Sequence, residues 1–267
     1  MSRTMSSLRI TLKDPSRFHD PFGLSWPKYI AMQARDKEHY DKERAALSQE
    51  VLDFKLADSK YLEQVTHEQF LDNYFGELAA TKYLAVVVKN SPFEELKKCA
   101  LFQMMDEQRH MEMDADVLRR AGVPENEWYD RWREADTTIQ FFEHVLALED
   151  PMEIMIKANF VNETGVGPAT FDALAEWARR KGDSLSAINH EARMRDESRH
   201  SKTGWALAKA LLDDDESNRA VIQEWQDEAL ALWYRVSKNG ERKQWWDSYL
   251  STYFRVATPL GLKHPAA

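Results

Sequence analysis

Cysteine is nearly absent from this chain of 267 residues, because Cys99 is the only one. A single cysteine excludes an intrachain disulfide and is typical of proteins in a reducing compartment, so we expect a cytoplasmic protein. The sequence also lacks any run of about 18 apolar residues, which predicts that no segment spans a membrane. The N-terminal stretch from Met1 to Asp20 mixes serine, arginine and lysine without an apolar core, and we expect no secretion signal there.

Basic side chains are also in the minority. Lysine and arginine together number 36 against 45 aspartates and glutamates, which gives a formal net charge of −9. A nucleic-acid partner requires a basic face that neutralises phosphates, so we expect none.

Glycine and proline are scarce, with nine of each, and no stretch alternates as a half-buried strand would. Apolar residues recur every three or four positions almost throughout, which predicts an all-α chain. Because no linker is rich in glycine, proline or serine, we predict a single domain over residues 1–267. Within it we expect an extended arm over 1–25, a four-helix core over 66–212 and C-terminal helices over 217–258.

Local signals predict several helix boundaries. A first helix is expected from Pro27 to about Asp53, and its charged middle predicts a peripheral position. Thr66-His67-Glu68-Gln69 is typical of a capping box that opens a second helix, and Ser91 followed by proline predicts the start of a third. Further starts and breaks are predicted at Asp150-Pro151, Gly182-Asp183 and Asn239-Gly240.

One five-residue motif occurs twice. Asp106-Glu107-Gln108-Arg109-His110 returns ninety positions later as Asp196-Glu197-Ser198-Arg199-His200. Glutamate and histidine three residues apart share one face of a helix, so each copy presents a carboxylate and an imidazole in one direction. Solvated, charge-rich helices would explain the residue types but not the repetition of the whole motif.

A further glutamate precedes each copy of the motif in apolar or small-residue surroundings. Glu77 lies 30 residues before Glu107, and Glu163 lies 34 residues before Glu197. These offsets suit pairs of antiparallel helices joined by short loops. Two Glu-x-x-His pairs and two single glutamates on four helices form the ligand set of ferritin-like di-metal proteins. We therefore predict a ferritin-like four-helix bundle with peripheral helices and the metal ligands Glu77, Glu107, His110, Glu163, Glu197 and His200.

The donor types indicate which metal is held. Carboxylate oxygens with two imidazoles favour iron or manganese over zinc. We predict two iron ions, with manganese or a mixed pair as the alternative, and O2 as co-substrate. Asp106 and Asp196 precede the histidines by four residues on the same face, so each is expected to accept the second imidazole N–H of its own motif. Arg109 and Arg199 are expected to pair with these aspartates and keep them ionised.

At these segments the chain resembles the hydroxylase large subunit of the bacterial multicomponent monooxygenases, especially the toluene, phenol and alkene group. The matching stretches are residues 75–80, 102–110, 162–165 and 196–200. The resemblance implies a di-iron centre that is reduced by a partner protein, binds O2 and inserts one oxygen atom into a small-molecule substrate. It also implies that all six ligand positions of the family are filled here.

The chain departs from this family in length and in the implied substrate pocket. It is far shorter than those large subunits. The pocket residues implied by the resemblance are Asn73, Gly76, Ala80, Asn162, Gly167 and Phe171. Gly167 stands where the family usually has a threonine that aids proton delivery, and Asn73 and Asn162 replace apolar residues. Because an amide in an apolar pocket would stay unpaired, the two asparagines predict a substrate more polar than toluene.

Hydroxylation is the expected reaction, and N-oxygenation, desaturation and a non-catalytic structural subunit stay open as alternatives. A tyrosyl-radical role is disfavoured because Asp114, four residues after His110, stands at that family's tyrosine position. An arylamine N-oxygenase would usually have a seventh ligand where Arg193 stands. His190 lies two turns from Glu197 and is expected on the surface.

The electrons are expected to come from outside the chain. The sequence has no glycine-rich dinucleotide motif and no cysteine cluster for an iron–sulfur centre, so a separate reductase or ferredoxin is predicted. Tryptophans 225, 233, 245 and 246 are expected mainly in the core, with some of these rings at the face of a homodimer.

Overall fold

A computed structural model of the protein describes residues 8–55, 57–135, 138–237 and 243–264. Within these ranges the chain consists of helices joined by turns and loops, which confirms the all-α prediction. No helix in the described ranges is both long enough and apolar enough to cross a membrane. The predicted break at Asn239-Gly240 and the first seven residues of the predicted arm lie outside the described residues.

The first half of the chain leads into two long helices. Residues 8–25 form no helix, and the side chains of Ile10 and Phe18 from this stretch are buried in the core. A π-helical turn at Thr66–Phe70 continues one helix into the next, and the single helix predicted over residues 27–53 is divided in two. The helices are α1 (Trp26–Ala45), α2 (Gln49–Leu52), α3 (Ser59–Val65), α4 (Leu71–Asn90) and α5 (Glu94–Arg120).

The second half has a more irregular helical backbone. After a 3-10 turn at Glu125–Glu127, the helices are α6 (Trp128–Ala135), α7 (Ile139–Leu146), α8 (Pro151–Met155), α9 (Thr164–Val166), α10 (Asp172–Arg180), α11 (Ser184–Asp214), α12 (Asn218–Val236) and α13 (Lys243–Ala257). Two π-helical segments, Ile156–Glu163 and Gly167–Phe171, flank α9, so α8 to α10 run as one continuous helix. A short 3-10 turn at Thr258–Leu260 follows α13.

Side-chain caps fix some of the predicted helix starts, while two other predictions are wrong. Asp150 and Asp183 each accept a backbone N–H at the start of α8 and α11. Thr66 is no cap, because it lies within a continuous helix and its hydroxyl donates to carbonyls of the preceding turn. The helix expected directly after Ser91 begins at Glu94, since the Ser91 hydroxyl caps a turn before it.

Two apolar clusters are stacked along the long helices, with a polar layer between them. One cluster includes Leu71 of α4, Leu118 of α5 and Leu185 of α11. The other includes Leu84 of α4, Leu96 of α5 and Leu211 of α11. Helix α4 packs along α5, and the segment Ile156–Glu163 packs along α11. Polar side chains midway along these helices are therefore held in a dry layer, where their charges are weakly screened.

Candidate metal centre

All six predicted ligands meet in this polar layer. One group of donors, whose ligand atoms all lie within 4.8 Å of one another, consists of Glu77, Glu107, His110 and Glu197. A second group, defined in the same way, consists of Glu107, Glu163 and His200. Glu107 belongs to both groups, so the two groups are neighbours that share one carboxylate.

Both imidazoles turn their Nδ1 atoms toward the carboxylates. His110 Nδ1 lies 3.2 Å from Glu107 Oε2 and 3.5 Å from Glu77 Oε1. His200 Nδ1 lies 3.3 Å from Glu197 Oε2 and 3.5 Å from Glu107 Oε1. Each imidazole therefore offers a lone pair to the same space that the carboxylate oxygens face.

Four carboxylates in one buried layer require positive charge to be ionised together. Burial and the nearby Glu77 raise the pKa of Glu107 to about 8. Burial and the nearby Glu197 raise the pKa of Glu163 well above its ordinary value. Although burial opposes it, hydrogen bonds from Glu163 and His200 lower the pKa of Glu197. Protons on Glu107 and Glu163 reduce the negative charge of the layer, and a bound cation would take over that role.

Two of the potential metal-ligand atoms in the layer, Glu107 Oε2 and His110 Nδ1, have no hydrogen-bond partner among the described residues. They lie 3.2 Å apart but are not aligned for a hydrogen bond. Leaving buried polar atoms unpaired costs free energy, and a divalent cation that accepts oxygen and nitrogen ligands would satisfy both. The residues present therefore fit a di-metal carboxylate centre.

The aspartates of the repeated motif contact the histidine of the opposite motif. His110 Nε2 lies 3.1 Å from Asp196 Oδ2, and His200 Nε2 lies 3.1 Å from Asp106 Oδ2. The expected pairing within each motif is wrong, because Nε2 points away from its own helix toward the facing one. A carboxylate that accepts the Nε2 proton fixes the imidazole tautomer and leaves Nδ1 available for a metal.

The two motif arginines balance the charge of these aspartates. Arg109 pairs with Asp196, and Arg199 Nη2 lies 2.7 Å from Asp106 Oδ2 and 2.6 Å from Asp196 Oδ1. Although burial alone would raise it, the pKa of Asp196 is lowered by His110 and by both arginines. Asp196 therefore stays ionised as the acceptor that orients His110.

Helix α1 is peripheral, as expected, with only Tyr29 and Tyr40 buried, but its inner face covers this network. Tyr29 donates its hydroxyl to Asp106 Oδ1 at 2.8 Å, and Gln33 donates its amide to the same oxygen at 2.5 Å. The Tyr29 ring stacks on Phe102 with 4.3 Å between centroids. Sequence reasoning missed both residues because the charge of α1 dominates its composition. The spacing of Trp26, Tyr29 and Gln33 by three and four residues was the available signal.

A buried ion pair lies beside the first donor group. Arg193 is 1% exposed, and its Nη2 lies 2.7 Å from Asp114 Oδ1. Its Nε lies 3.5 Å from Glu77 Oε1, and although burial opposes it, this guanidinium lowers the pKa of Glu77. Two positions that carry a radical tyrosine or a seventh ligand in other di-iron proteins therefore hold a structural charge pair here.

His190 is buried, so its expected surface position is wrong. Its ring stacks on Phe70 and Phe171, with centroids 5.4 and 5.9 Å apart. Burial and the charge of Arg193 lower the pKa of His190 to about 3, so the imidazole is neutral near pH 7.

The irregular backbone at Ile156–Glu163 accompanies the placement of Glu163. A π-helical segment changes the direction of the side chains that follow it and is frequent at functional sites. Asn162 and Glu163 are both buried at its end. Gly204 of α11 packs directly on this segment, because a Cβ at that position would overlap the backbone of Phe160. Glycine thus permits the close helix approach one turn after the last motif.

A cavity of 340 Å³ borders the carboxylates Glu77, Glu163 and Glu197. Five of the predicted pocket residues line it, namely Asn73, Gly76, Ala80, Asn162 and Phe171. Gly167 is not among the described lining residues, and a Cβ at this position would contact the Glu197 side chain at 3.4 Å. The threonine position implied by the family resemblance therefore lies beside the proposed ligand Glu197.

Several wall residues of the cavity come from elements that sequence reasoning assigned to the core. Trp233 and Val236 of α12 and Trp245 of α13 line it together with Phe142 of α7. Their apolar side chains gave no signal that separates a cavity wall from a packed core, since both are apolar. Trp225 is fully buried in the core, as expected.

Comparison with known proteins identifies the family. The model of the Methane/Phenol/Alkene Hydroxylase family matches residues 1–215. The chain belongs to this family. A solved structure of toluene 4-monooxygenase with toluene in its resting active site shares the fold at a TM-score of 0.77 and 19% identity, over 94% of this chain and 82% of that one. A phenol hydroxylase structure from Pseudomonas sp. OX1 matches at a TM-score of 0.81 and 14% identity, over 97% of this chain and 82% of that one. No curated protein matches the sequence.

The methane/phenol/alkene hydroxylase family gives the chain its reaction class and confirms the resemblance seen in its motifs. The protein is an oxidoreductase of the di-iron monooxygenase type with the ferritin-like helical fold of these hydroxylases. Both copies of the Asp-Glu-x-Arg-His motif lie within the stretch that matches the hydroxylase family. Trp233, Val236 and Trp245 of the cavity wall lie beyond it.

Proposed function

We propose that this hydroxylase holds two iron ions and uses O2 to hydroxylate a small, somewhat polar organic molecule. The observation that carries the proposal is the convergence of four carboxylates and two imidazoles, with Glu107 Oε2 and His110 Nδ1 left without a hydrogen-bond partner among the residues that the structure describes. When bound, two iron(II) ions would supply the redox chemistry that activates O2, with the electrons replaced by the separate donor proposed below. The proposed ligands are Glu77, Glu107, His110, Glu163, Glu197 and His200.

The residues behind the ligands hold them in a fixed protonation state and orientation. Asp196 and Asp106 accept the Nε2 protons of His110 and His200, which directs each Nδ1 inward. Arg199 contacts both aspartates and Arg109 contacts one, so the negative charge of the pair is balanced without the iron. The chain therefore supplies a preorganised shell whose four carboxylates neutralise two divalent ions.

The cavity supplies the substrate site in this proposal. A molecule inside it contacts the carboxylate layer, since Glu77, Glu163 and Glu197 form one side. The amides of Asn73 and Asn162 line the same space, and Asn73 Nδ2 and Asn162 Oδ1 have no hydrogen-bond partner in the described chain. A polar substrate would satisfy these atoms, whereas toluene would leave them unpaired.

Electrons for the reaction are proposed to come from a separate reductase or ferredoxin. The chain has one cysteine and no glycine-rich nucleotide motif, so it carries neither an iron–sulfur centre nor a flavin or nicotinamide site of the known motif types. The same cysteine content supports a cytoplasmic location.

We also propose that the protein is a homodimer, through an apolar face on α1 and α5. Trp26 and Ile30 are exposed four residues apart on α1, and Leu101 and Met105 are exposed four residues apart on α5. An exposed apolar patch of this kind is typical of an interface. Met105→Glu should shift sedimentation from dimer to monomer, while Gln140→Glu, exposed on α7 away from this face, should not. A wild-type monomer would reject the dimer.

The central experiment measures iron content and O2 uptake on the full-length protein. Wild-type protein loaded with iron(II) should hold two ions per chain and consume O2 when a chemical reductant is added. Glu107→Gln removes the carboxylate shared by both groups and should abolish both signals. Glu112→Gln, an exposed glutamate on the same helix, is the matched control and should change neither.

The outcome separates the enzyme from its alternatives. A wild-type protein that ignores iron(II) would indicate a structural subunit and refute the proposal. If iron binds and O2 is consumed, product analysis with labelled O2 distinguishes hydroxylation from desaturation, which leaves no label in the product. N-oxygenation is recognised by label on nitrogen.

A further inference from the structure

Two side-chain amides that line the cavity each have a polar atom without a hydrogen-bond partner among the described residues, an acceptor in one and a donor in the other. Gln69 and Asn73 lie four residues apart where the π-helical turn passes into α4, so they share a helix face, and both line the cavity. Gln69 Oε1 and Asn73 Nδ2 are shielded from solvent and have no hydrogen-bond partner among the described residues. One acceptor and one donor are therefore desolvated without compensation, which is unfavourable unless a bound molecule pairs with them.

The distance of this pair from Glu77 determines which part of a bound molecule lies next to the carboxylate layer. Asn73 and Gln69 precede Glu77 by four and eight residues, which corresponds to about 6 and 12 Å along the helix axis at about 1.5 Å per residue. A molecule whose polar group binds at the pair therefore reaches the carboxylate layer with its other end. The polar group and the oxidised atom are one to two helical turns apart.

The charge of the cavity excludes an anionic ligand. Among the lining residues that the structure describes there is no lysine, arginine or histidine. The acidic lining residues are Glu77, Glu163 and Glu197, which are proposed metal ligands, and Asp72. Asp72 accepts hydrogen bonds from Trp132 Nε1 and the Thr138 hydroxyl, both at 3.0 Å. A carboxylate or phosphate would enter without a counter-charge, so a neutral molecule is favoured.

The volume and walls of the cavity favour a ring-bearing molecule. An engineered apolar cavity of roughly 150 Å³ binds benzene, and this cavity has 340 Å³. It therefore accommodates one ring with a polar substituent, or two fused rings. Aromatic side chains supply much of the wall, namely Tyr83, Phe142, Phe171, Trp233 and Trp245.

We propose that the cavity selects neutral aromatic carboxamides, or molecules with the same adjacent donor and acceptor. The amide group is held by Gln69 and Asn73, and the ring extends toward Glu77. A carboxamide offers both a donor and an acceptor, so it pairs with the two side-chain amides in either of their orientations. This inference rests on the proposed function for the fate of the ring, and on the cavity alone for binding.

The test compares three ligands that share one ring and differ in the head group. Calorimetric titration of the iron-loaded protein should give benzamide an affinity about tenfold or more above that of toluene and of benzoate, as one to two hydrogen bonds require. Asn73→Leu should weaken benzamide binding about tenfold and leave toluene binding unchanged or stronger. Gln140→Leu, exposed on α7 outside the cavity, should alter neither affinity.

Three results would overturn the inference: toluene binding as tightly as benzamide, benzoate binding more tightly, or an Asn73→Leu protein that keeps its benzamide affinity. If that variant does not fold, Gln69→Leu and the wild-type comparison still decide. Titration of iron-free protein tests the amide site without the metal, and O2 uptake by iron-loaded protein tests the oxygenase, so the two proposals are read separately. Benzamide binding without O2 uptake supports the amide site and refutes the oxygenase, and O2 uptake without selective benzamide binding does the reverse.

Discussion

Replacing Arg193 with leucine is a perturbation whose cost depends on pH. The guanidinium is buried, lies 2.7 Å from Asp114 Oδ1 and lies 3.5 Å from Glu77 Oε1. Removing one partner of a buried ion pair usually costs about 3–5 kcal/mol, because the other charge stays desolvated and unpaired. Replacing both partners by apolar residues is often neutral. Arg193→Leu should therefore be far more damaging than the double variant that also carries Asp114→Leu.

The pH dependence follows from the pKa of Asp114. Burial raises it to about 7 in the wild-type protein, although Arg193 lowers it. Below pH 7 the folded protein keeps the Asp114 proton, so the loss of the cation matters less. Above pH 7 the wild-type carboxylate ionises, whereas the variant retains a proton that its unfolded state releases. Each pH unit over which only the folded variant keeps this proton lowers its free energy of unfolding by about 1.4 kcal/mol relative to wild type. The destabilisation by Arg193→Leu should therefore be about 2 kcal/mol larger at pH 8.5 than at pH 6.

Urea denaturation of the iron-free proteins at pH 6 and pH 8.5 measures these differences. Glu77 loses the Arg193 charge in the single and the double variant alike, so the comparison between these two variants cancels the change in the carboxylate layer and isolates Asp114. A single variant that loses equal stability at both pH values would refute the assignment of the raised pKa to Asp114. A double variant no more stable than the single one would refute the ion pair as the cause.

Three further predictions concern other parts of the molecule. Gly204→Ala should lower the free energy of unfolding by about 1–3 kcal/mol or more and should lower the iron content, because the added Cβ overlaps the backbone of Phe160. An unchanged melting temperature and iron content would contradict this prediction. His190 has a pKa of about 3 when folded, below its unfolded value near 6.5, so its stability contribution is present above pH 6.5 and is lost as the pH falls. Between pH 7 and pH 5 the free energy of unfolding of His190→Phe should therefore fall by about 2 kcal/mol less than that of wild type. An equal fall in both proteins would contradict the lowered pKa of His190. Asp106→Asn should weaken iron binding about 10–100-fold in an iron(II) titration, because His200 loses its acceptor, and unaltered affinity would exclude that role.

The positions of the proposed ligands could be read from the sequence because helical periodicity is local. Glu107 and His110 share a face through their three-residue spacing alone, whatever the rest of the fold does. The repetition of the motif then indicated that two such faces meet. Glu77 and Glu163 required only the length of an antiparallel helix pair.

The contacts behind the ligands could not be predicted, because they depend on distances between helices. The exchange of aspartates between the motifs follows from the direction of Nε2 across the gap between α5 and α11. Tyr29 and Gln33 belong to a helix whose composition indicated a solvated surface, and only packing shows that one of its faces contacts Asp106. The burial of His190 was mispredicted for the same reason, since charge and polarity in a sequence do not reveal burial.

The irregular helix geometry could not be predicted from the sequence either. Nothing in residues 156–163 distinguishes a π-helical segment from an ordinary α-helix, and its close packing on Gly204 of α11 is a contact between distant parts of the chain. The cavity has a similar origin. It is bounded by α4, α7, α12 and α13 together, and no single stretch of chain contains its outline.

The family match ends at residue 215, and both copies of the duplicated motif lie before that point. Trp233, Val236 and Trp245, which close one side of the cavity, come after it. The C-terminal stretch therefore contributes part of the cavity wall, whereas the proposed metal ligands and the amide pair Gln69 and Asn73 lie within the stretch that matches the family. Exchange of the C-terminal stretch would reshape that part of the wall and leave both the proposed ligands and the amide pair in place.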